Sequence, residues 1–169
     1  MKKIYFSFIH SFISYCNIVW GSTNYGKLKK LHSKQKHACR IVFGAHRTFH
    51  CEPLLRKLGS LSFYKLNIHQ VLQFMFKTKH GFSPIVFQPY FSKISHKYPT
   101  KSSINNFVVP KTNLKLCSYQ IQYRGPFLWK HFSKFITKNN NGLNISFEQF
   151  RKDSKRFLLQ KDFDLKYLF

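Results

Sequence analysis

Tyr25-Gly26-Lys27-Leu28-Lys29-Lys30-Leu31-His32-Ser33-Lys34-Gln35-Lys36-His37-Ala38-Cys39-Arg40-Ile41-Val42-Phe43 carries two patterns at once. Leu28, Leu31, Ala38 and Val42 recur on one side of a helical projection. Lys27, Lys30, Lys34 and His37, at i, i+3, i+7 and i+10, stack on another. The spacing predicts a helix over about Tyr25 to Phe43 with a ladder of positive charge along its axis. Lys29, Lys36 and Arg40 form a second ladder beside the first. A run of charge on a helix is ordinarily a solvated face, and such faces interleave both signs. Here no acidic residue lies between Met1 and Glu52, so the ladders read as a surface for a polyanion.

Toward the N-terminus, Ile4, Phe8, Ile9, Phe12, Ile13 and Cys16 recur at intervals of three and four. This predicts one helix with an apolar stripe, closed at Trp20 and Gly21, with Asn24 capping the helix that follows. Toward the C-terminus, Cys51 to Leu58 predicts a short helix ended by Gly59. A third long helix begins near Leu61, buries Tyr64, Ile68, Val71, Leu72 and Met75, and is ended by Gly81. Pro84 and Pro89 leave room for only a short helical turn before Phe91. After it the helical period is lost, and 96–122 reads as short strands or extended loops. Gly125 and Pro126 introduce a helix through Phe127, Leu128, Trp129, Phe132, Phe135 and Ile136. A final helix starts at Ser146, where Gln149 would complete a capping box. Its apolar side is Phe147, Phe150, Phe157 and Leu158, and Arg151, Lys152, Lys155 and Arg156 cover the remainder. The expected fold is mainly α: a helical bundle over 1–91, then a smaller mixed, basic segment over 92–169 with short extended stretches and two terminal helices.

Composition narrows the function. The 169 residues hold 29 Lys and Arg against 5 Asp and Glu, a formal charge of +24, and 18% aromatics. Such a chain repels itself unless a partner neutralises it, and a phosphate backbone is the obvious partner. Lys supplies 23 of the cations. Lys meets phosphate as a point charge, without the planar fork Arg uses on guanine, so sequence-independent gripping fits better than base readout. Exposed rings such as Tyr25, Tyr98 or Tyr123 would add base stacking. Polymerase and nuclease chemistry need clustered carboxylates for two divalent ions. Glu52 and Glu148 are isolated, and Asp162 and Asp164 at i, i+2 do not face each other on a helix. No catalytic residue is assigned and no cofactor is expected. His37, Cys39, His46, His50 and Cys51 match no zinc-finger spacing. Cys16, Cys39, Cys51 and Cys117 form no CxxC pair and read as buried free thiols. The glycines are scattered singly, so there is no phosphate loop and no small-molecule substrate is implied.

Five stretches carry a resemblance. Ser14-Tyr15-Cys16-Asn17-Ile18-Val19-Trp20-Gly21 comes first. Leu31, Gln35, Lys36, Ala38, Arg40, Ile41 and Val42 form the second, and Glu52, Pro53, Leu54, Leu58, Tyr64, Lys65 and Leu66 the third. His96, Tyr98, Thr100 and Lys101 make the fourth, and Tyr123, Gly125, Pro126, Leu128 and Trp129 the fifth. In this order they resemble the region downstream of the palm in jockey-like non-LTR retrotransposon reverse transcriptases. Lys101 and Lys130 depart from the Arg and Asn usual there. The resemblance implies a thumb-like bundle facing template and primer. It also implies a parent RNA-directed DNA polymerase whose catalytic Tyr-x-Asp-Asp motif lies in a palm outside this chain, and a nuclear setting. On this reading the chain is a truncated, non-catalytic fragment whose partners are the RNA or DNA backbone and that palm. The nucleic-acid contacts would be Lys27, Lys29, Lys30, Lys34, Lys36, His37 and Arg40, with Arg151, Lys152, Lys155 and Arg156. The alternative is an independent small basic protein whose Met1 to Trp20 segment, opening with Lys2 and Lys3, is a signal or an amphipathic membrane-surface helix. No apolar run is long enough to span a bilayer.

Overall fold

The computed structural model describes residues 1–23, 25–93, 107–137 and 145–160, and among them the chain is mainly helical. The elements are α1 (Lys2–Ile4), a π-helical turn (Tyr5–His10), α2 (Ser11–Ser14), α3 (Asn17–Trp20), α4 (Tyr25–Phe43), α5 (Cys51–Leu58), α6 (Phe63–Lys79), a 3-10 helix (Ile85–Tyr90), α7 (Lys115–Ser118), α8 (Ile121–Thr137) and α9 (Phe147–Gln160). Contacts divide the chain into two compact units. The first is Met1–Ile68 with Lys155–Phe169, of which 155–160 are described, and the second is His69–Ser154. The change of sequence pattern at Phe91 falls inside the second unit. Asn24, the expected cap, lies outside the described residues.

In the first unit, α1, the π-helical turn and α2 run on as one helix, but not with the expected stripe. Tyr5 and Ile13 are buried and Ile9 is half-buried, while Ile4, Phe8, Phe12 and Cys16 are exposed, Phe8 to 72% and Phe12 to 78%. The wide turn departs from the 3.6-residue period on which the stripe was read. Tyr5 is drawn inward because its hydroxyl has buried partners, Gln35 and Ser60. Nor does the helix run on to Trp20. The chain turns at Cys16, which takes a left-handed conformation (φ 47°), and α3 restarts as a single turn.

Beneath that turn lies a buried polar knot. Asn17 donates to the Ile13 carbonyl at 3.0 Å, and Asn67 of α6 donates to the Asn17 backbone carbonyl at 2.9 Å and to its side-chain oxygen at 2.8 Å. A Cβ on Gly21 would stand 2.4 Å from the Asn17 carbonyl and 2.6 Å from the Asn67 amide nitrogen. Gly21→Ala is therefore expected to destabilise the protein by roughly 1 to 2 kcal/mol, as a core overpacking against groups that have no room to retreat. A denaturant midpoint equal to that of the unaltered chain would show the knot to be dispensable.

Helices α4 and α5 pack through Cys39, Leu54, Leu55 and Leu58, joined by Tyr5, with Ala38, Val42 and Phe43 at the margin. Helix α5 occupies the expected span and ends in Gly59 (φ 71°), where the Ser60 N–H returns to the Leu55 carbonyl at 3.0 Å. That left-handed closure costs a glycine little. Four hydrogen bonds then tie this layer together through two side chains. Gln35 of α4, fully buried, donates to the Tyr5 hydroxyl and the Leu61 carbonyl, and accepts from the Phe63 N–H at 2.7 Å. Tyr5 shares a further bond with Ser60.

The second unit is built on aromatic packing. Phe76 stacks on Phe150 with ring centroids 4.4 Å apart, and Trp129 meets both Phe150 and Phe107. Ser154 and His69 are hydrogen-bonded and buried. Of the expected strands, 96–106 lies outside the described residues. The remainder corrects the expectation: Lys115–Ser118 is helical, and α8 begins at Ile121, before Gly125 and Pro126. Those two residues punctuate most helices, but here the missing side chain at Gly125 admits Met75, whose sulfur would lie 2.6 Å from an added Cβ. Of extended structure, the described residues hold one antiparallel bridge, Lys93 with Phe107. The capping box also fails: the Gln149 amide donates to the Asp153 carboxylate at 3.0 Å instead of reaching back to Ser146.

Candidate nucleic-acid interface

Helix α4 has the bounds that its periodicity predicts. Leu28, Gln35 and Cys39 are buried, Leu31, His32, Ala38 and Val42 are half-buried, and Lys27, Lys30, Lys34 and His37 all emerge into solvent. At 1.5 Å per residue the row runs for about 15 Å, a straight line of charge with nothing negative alongside in the sequence. Lys29 is exposed beside it, and Ile41, 59% exposed, continues the row.

The second ladder is less free. Lys36 and Arg40 are half-buried, and the Arg40 Nε donates to the Phe49 carbonyl at 3.0 Å, pinning the turn that precedes α5. The Cys51 thiol lies 3.5 Å from the Lys36 carbonyl. The Arg40 side chain thus holds α4 to its neighbour, whereas at Lys36 it is the backbone carbonyl that is engaged. On α9, Arg151 and Lys152 of the second unit and Lys155 and Arg156 of the first are each exposed. Of the suggested stacking rings, Tyr98 and the Tyr25 side chain lie outside the described residues. Tyr123 is half-buried and lies nearly parallel to Phe127 at 5.9 Å.

Glu148 is exposed in the first turn of α9, and the other two carboxylates of the described residues have other work. Glu52 accepts from Lys65, which is itself buried, and Asp153 holds Gln149. Asp162 and Asp164 lie outside the described residues. Among the described residues no three His, Cys, Asp or Glu side chains are grouped to hold a metal ion. His46 bonds Thr48 at 2.9 Å, and His46 and His50 both lie exposed in the turn before α5. All four cysteines are free, but only Cys39 and Cys51 are buried; Cys16 is exposed and Cys117 half-buried, which corrects the expectation of four buried thiols. Burial pushes the Cys39 thiol up to about 11 and raises Cys51 too, so neither is poised as a thiolate nucleophile. His32, turned inward against Tyr64, is depressed to about 4 by burial and then by the Lys36 charge.

One group of cations was invisible in the sequence. The charge of Lys93 acts on Lys79 and on the adjacent imidazole of His80, all in the second unit, although Lys93 lies on a different element. Separation along the chain hid them, and no periodicity would have joined them.

No family model, no curated protein and no solved structure matches the chain. No helix among the described residues is long and apolar enough to cross a membrane.

Proposed function

We propose that this chain grips nucleic acid through its phosphate backbone, without sequence preference and without chemistry of its own. By its resemblance it is the thumb and post-thumb part of a non-LTR retrotransposon reverse transcriptase. The observation that carries the proposal is the exposed row Lys27, Lys30, Lys34 and His37, flanked by Lys29, on a unit whose one carboxylate before residue 69 is bound to Lys65. A row of ammonium groups unbalanced by acid gains free energy by releasing the counterions condensed on a polynucleotide.

The palm of the parent polymerase is the second proposed partner. Ile4, Phe8 and Phe12 fall at successive four-residue steps along the first helix and, with Met1 and Tyr15 at its two ends, are all exposed, an apolar patch larger than isolated surface residues explain.

Lys27→Gln/Lys30→Gln/Lys34→Gln tests the first partner, since all three side chains are exposed and leave the core untouched. In a titration of labelled duplex at several salt concentrations, the slope of log affinity against log salt is expected to shrink by about 3. An unaltered chain whose affinity is flat with salt removes the reading.

The same patch, beside Lys2 and Lys3, favours a second reading in which the first helix lies in an anionic membrane surface. Phe8→Ser/Phe12→Ser separates the two: loss of binding to phosphatidylserine vesicles, with nucleic-acid affinity unchanged, would support the membrane.

A further inference from the structure

Helix α6 ends with Lys77 and Lys79 in its last turn. Cations there oppose the negative end of the helix dipole, which explains their place on the helix. It does not explain Lys93. Lys93 is bridged to Phe107, whose ring meets Trp129 edge-on at 6.2 Å, and the Lys79 ammonium stands over that same Trp129 ring, 5.7 Å from its centroid. One aromatic pair therefore brings together two lysines from separate elements. Burial lowers the Lys79 ammonium and the Lys93 charge lowers it further; the His80 imidazole is lowered by burial and then by both lysines. Among the described residues, no carboxylate is among the charges acting on either group. The bridge and the Trp129 ring thus place two lysines and an imidazole near one another, a local excess of positive charge that an anion would relieve.

The chain reverses directly beyond. The Phe82 N–H returns to the Lys77 carbonyl at 2.8 Å, and the Phe82 ring stands 70% exposed, 6.4 Å from the His80 ring and within 18° of parallel. Polar recognition and a bare aromatic face are thus neighbours on one short stretch.

We propose that Lys79, Lys93 and the His80–Phe82 pair form a contact for single-stranded nucleic acid, the two ammoniums taking adjacent phosphates and Phe82 taking the face of a base. The proposal rests on the reading given above for the class of ligand, and deepens it by naming the strandedness. A single strand offers phosphate and base face side by side; a duplex hides its base faces in the stack, so the aromatic half of the site has nothing to hold.

The experiment uses the full chain and fluorescence anisotropy with a labelled oligothymidylate and a labelled duplex of equal length. Phe82→Ala is expected to weaken the single strand about tenfold and leave the duplex unchanged. Lys79→Gln/Lys93→Gln is expected to reduce the salt slope on the single strand by about 1.4, and Lys79→Arg/Lys93→Arg to restore it. Lys93→Gln alone, at an exposed position, gives half that change without touching the packing of Lys79 on Trp129. Equal losses on both ligands for Phe82→Ala, or unchanged slopes for the lysine variants while the triple substitution on α4 keeps its effect, would overturn this inference and leave the α4 reading standing. An unaltered chain that binds neither ligand overturns both.

Discussion

Gln35→Ala is expected to cost about 3 to 5 kcal/mol, a large share of the roughly 5 to 15 kcal/mol by which a domain of this kind is stable. Gln35 is 1% exposed and makes three bonds, to the Tyr5 hydroxyl at 3.2 Å, the Leu61 carbonyl at 3.0 Å and the Phe63 N–H at 2.7 Å. Truncation strands a buried backbone donor and a buried backbone acceptor where water cannot follow. It also opens a void between α4 and the start of α6. Tyr5 keeps Ser60 as a partner, so its share of the loss is the smallest. The exposed neighbour Lys34 provides the contrast, because Lys34→Ala is expected to change stability by less than about 0.5 kcal/mol. Urea unfolding followed by circular dichroism checks both. If the two variants unfold at the same concentration, Gln35 is not the tie described here.

Mild acid is expected to have the next largest effect. His32 is held near 4 in the folded chain against an ordinary value near 6.5. Between those limits the unfolded chain binds a proton that the folded chain refuses, so the contribution of neutral His32 is complete above about pH 6.5 and is withdrawn as the pH falls toward 4. Its size is on the order of 2 kcal/mol once partial exposure is allowed for. His10, lowered by burial and by Lys155, and His80, lowered by burial and by Lys79 and Lys93, act in the same direction. Charge repulsion in so basic a chain grows with each added proton. A melting temperature constant from pH 7.5 to 4.5 would contradict this account. His32→Phe, which cannot titrate and fits against Tyr64, should flatten part of the slope.

These two effects show where sequence reading succeeds and where it stops. Helix α4 was legible because Leu28 and the lysine ladder repeat at helical spacing whatever the neighbours do. Gln35 was legible only as part of a resemblance. A polar side chain in a basic run looks like surface, and nothing local reveals that it meets Leu61 and Phe63. The first helix was misread for a related reason. A tyrosine whose hydroxyl has buried partners outweighed Phe8 and Phe12, and the π-helical turn broke the period on which the stripe was counted. Gly125 and Pro126 misled because their local preference, to begin a helix, yielded to a tertiary contact with Met75. At the site, the α4 cations were found by periodicity, whereas Lys79 and Lys93 belong together only through the bridge at Phe107 and the ring of Trp129.

The pairing of Glu52 with Lys65 reaches further than the two residues. From Met1 to Ile68 that carboxylate is the chain's sole negative group, and it is turned toward a buried lysine. Over that stretch every other formal charge is positive, and neutrality has to be borrowed from the surroundings. Under the proposed function, such a stretch would be dressed in a cell extract by whatever polymeric anion is abundant, and the bare protein would be a laboratory state.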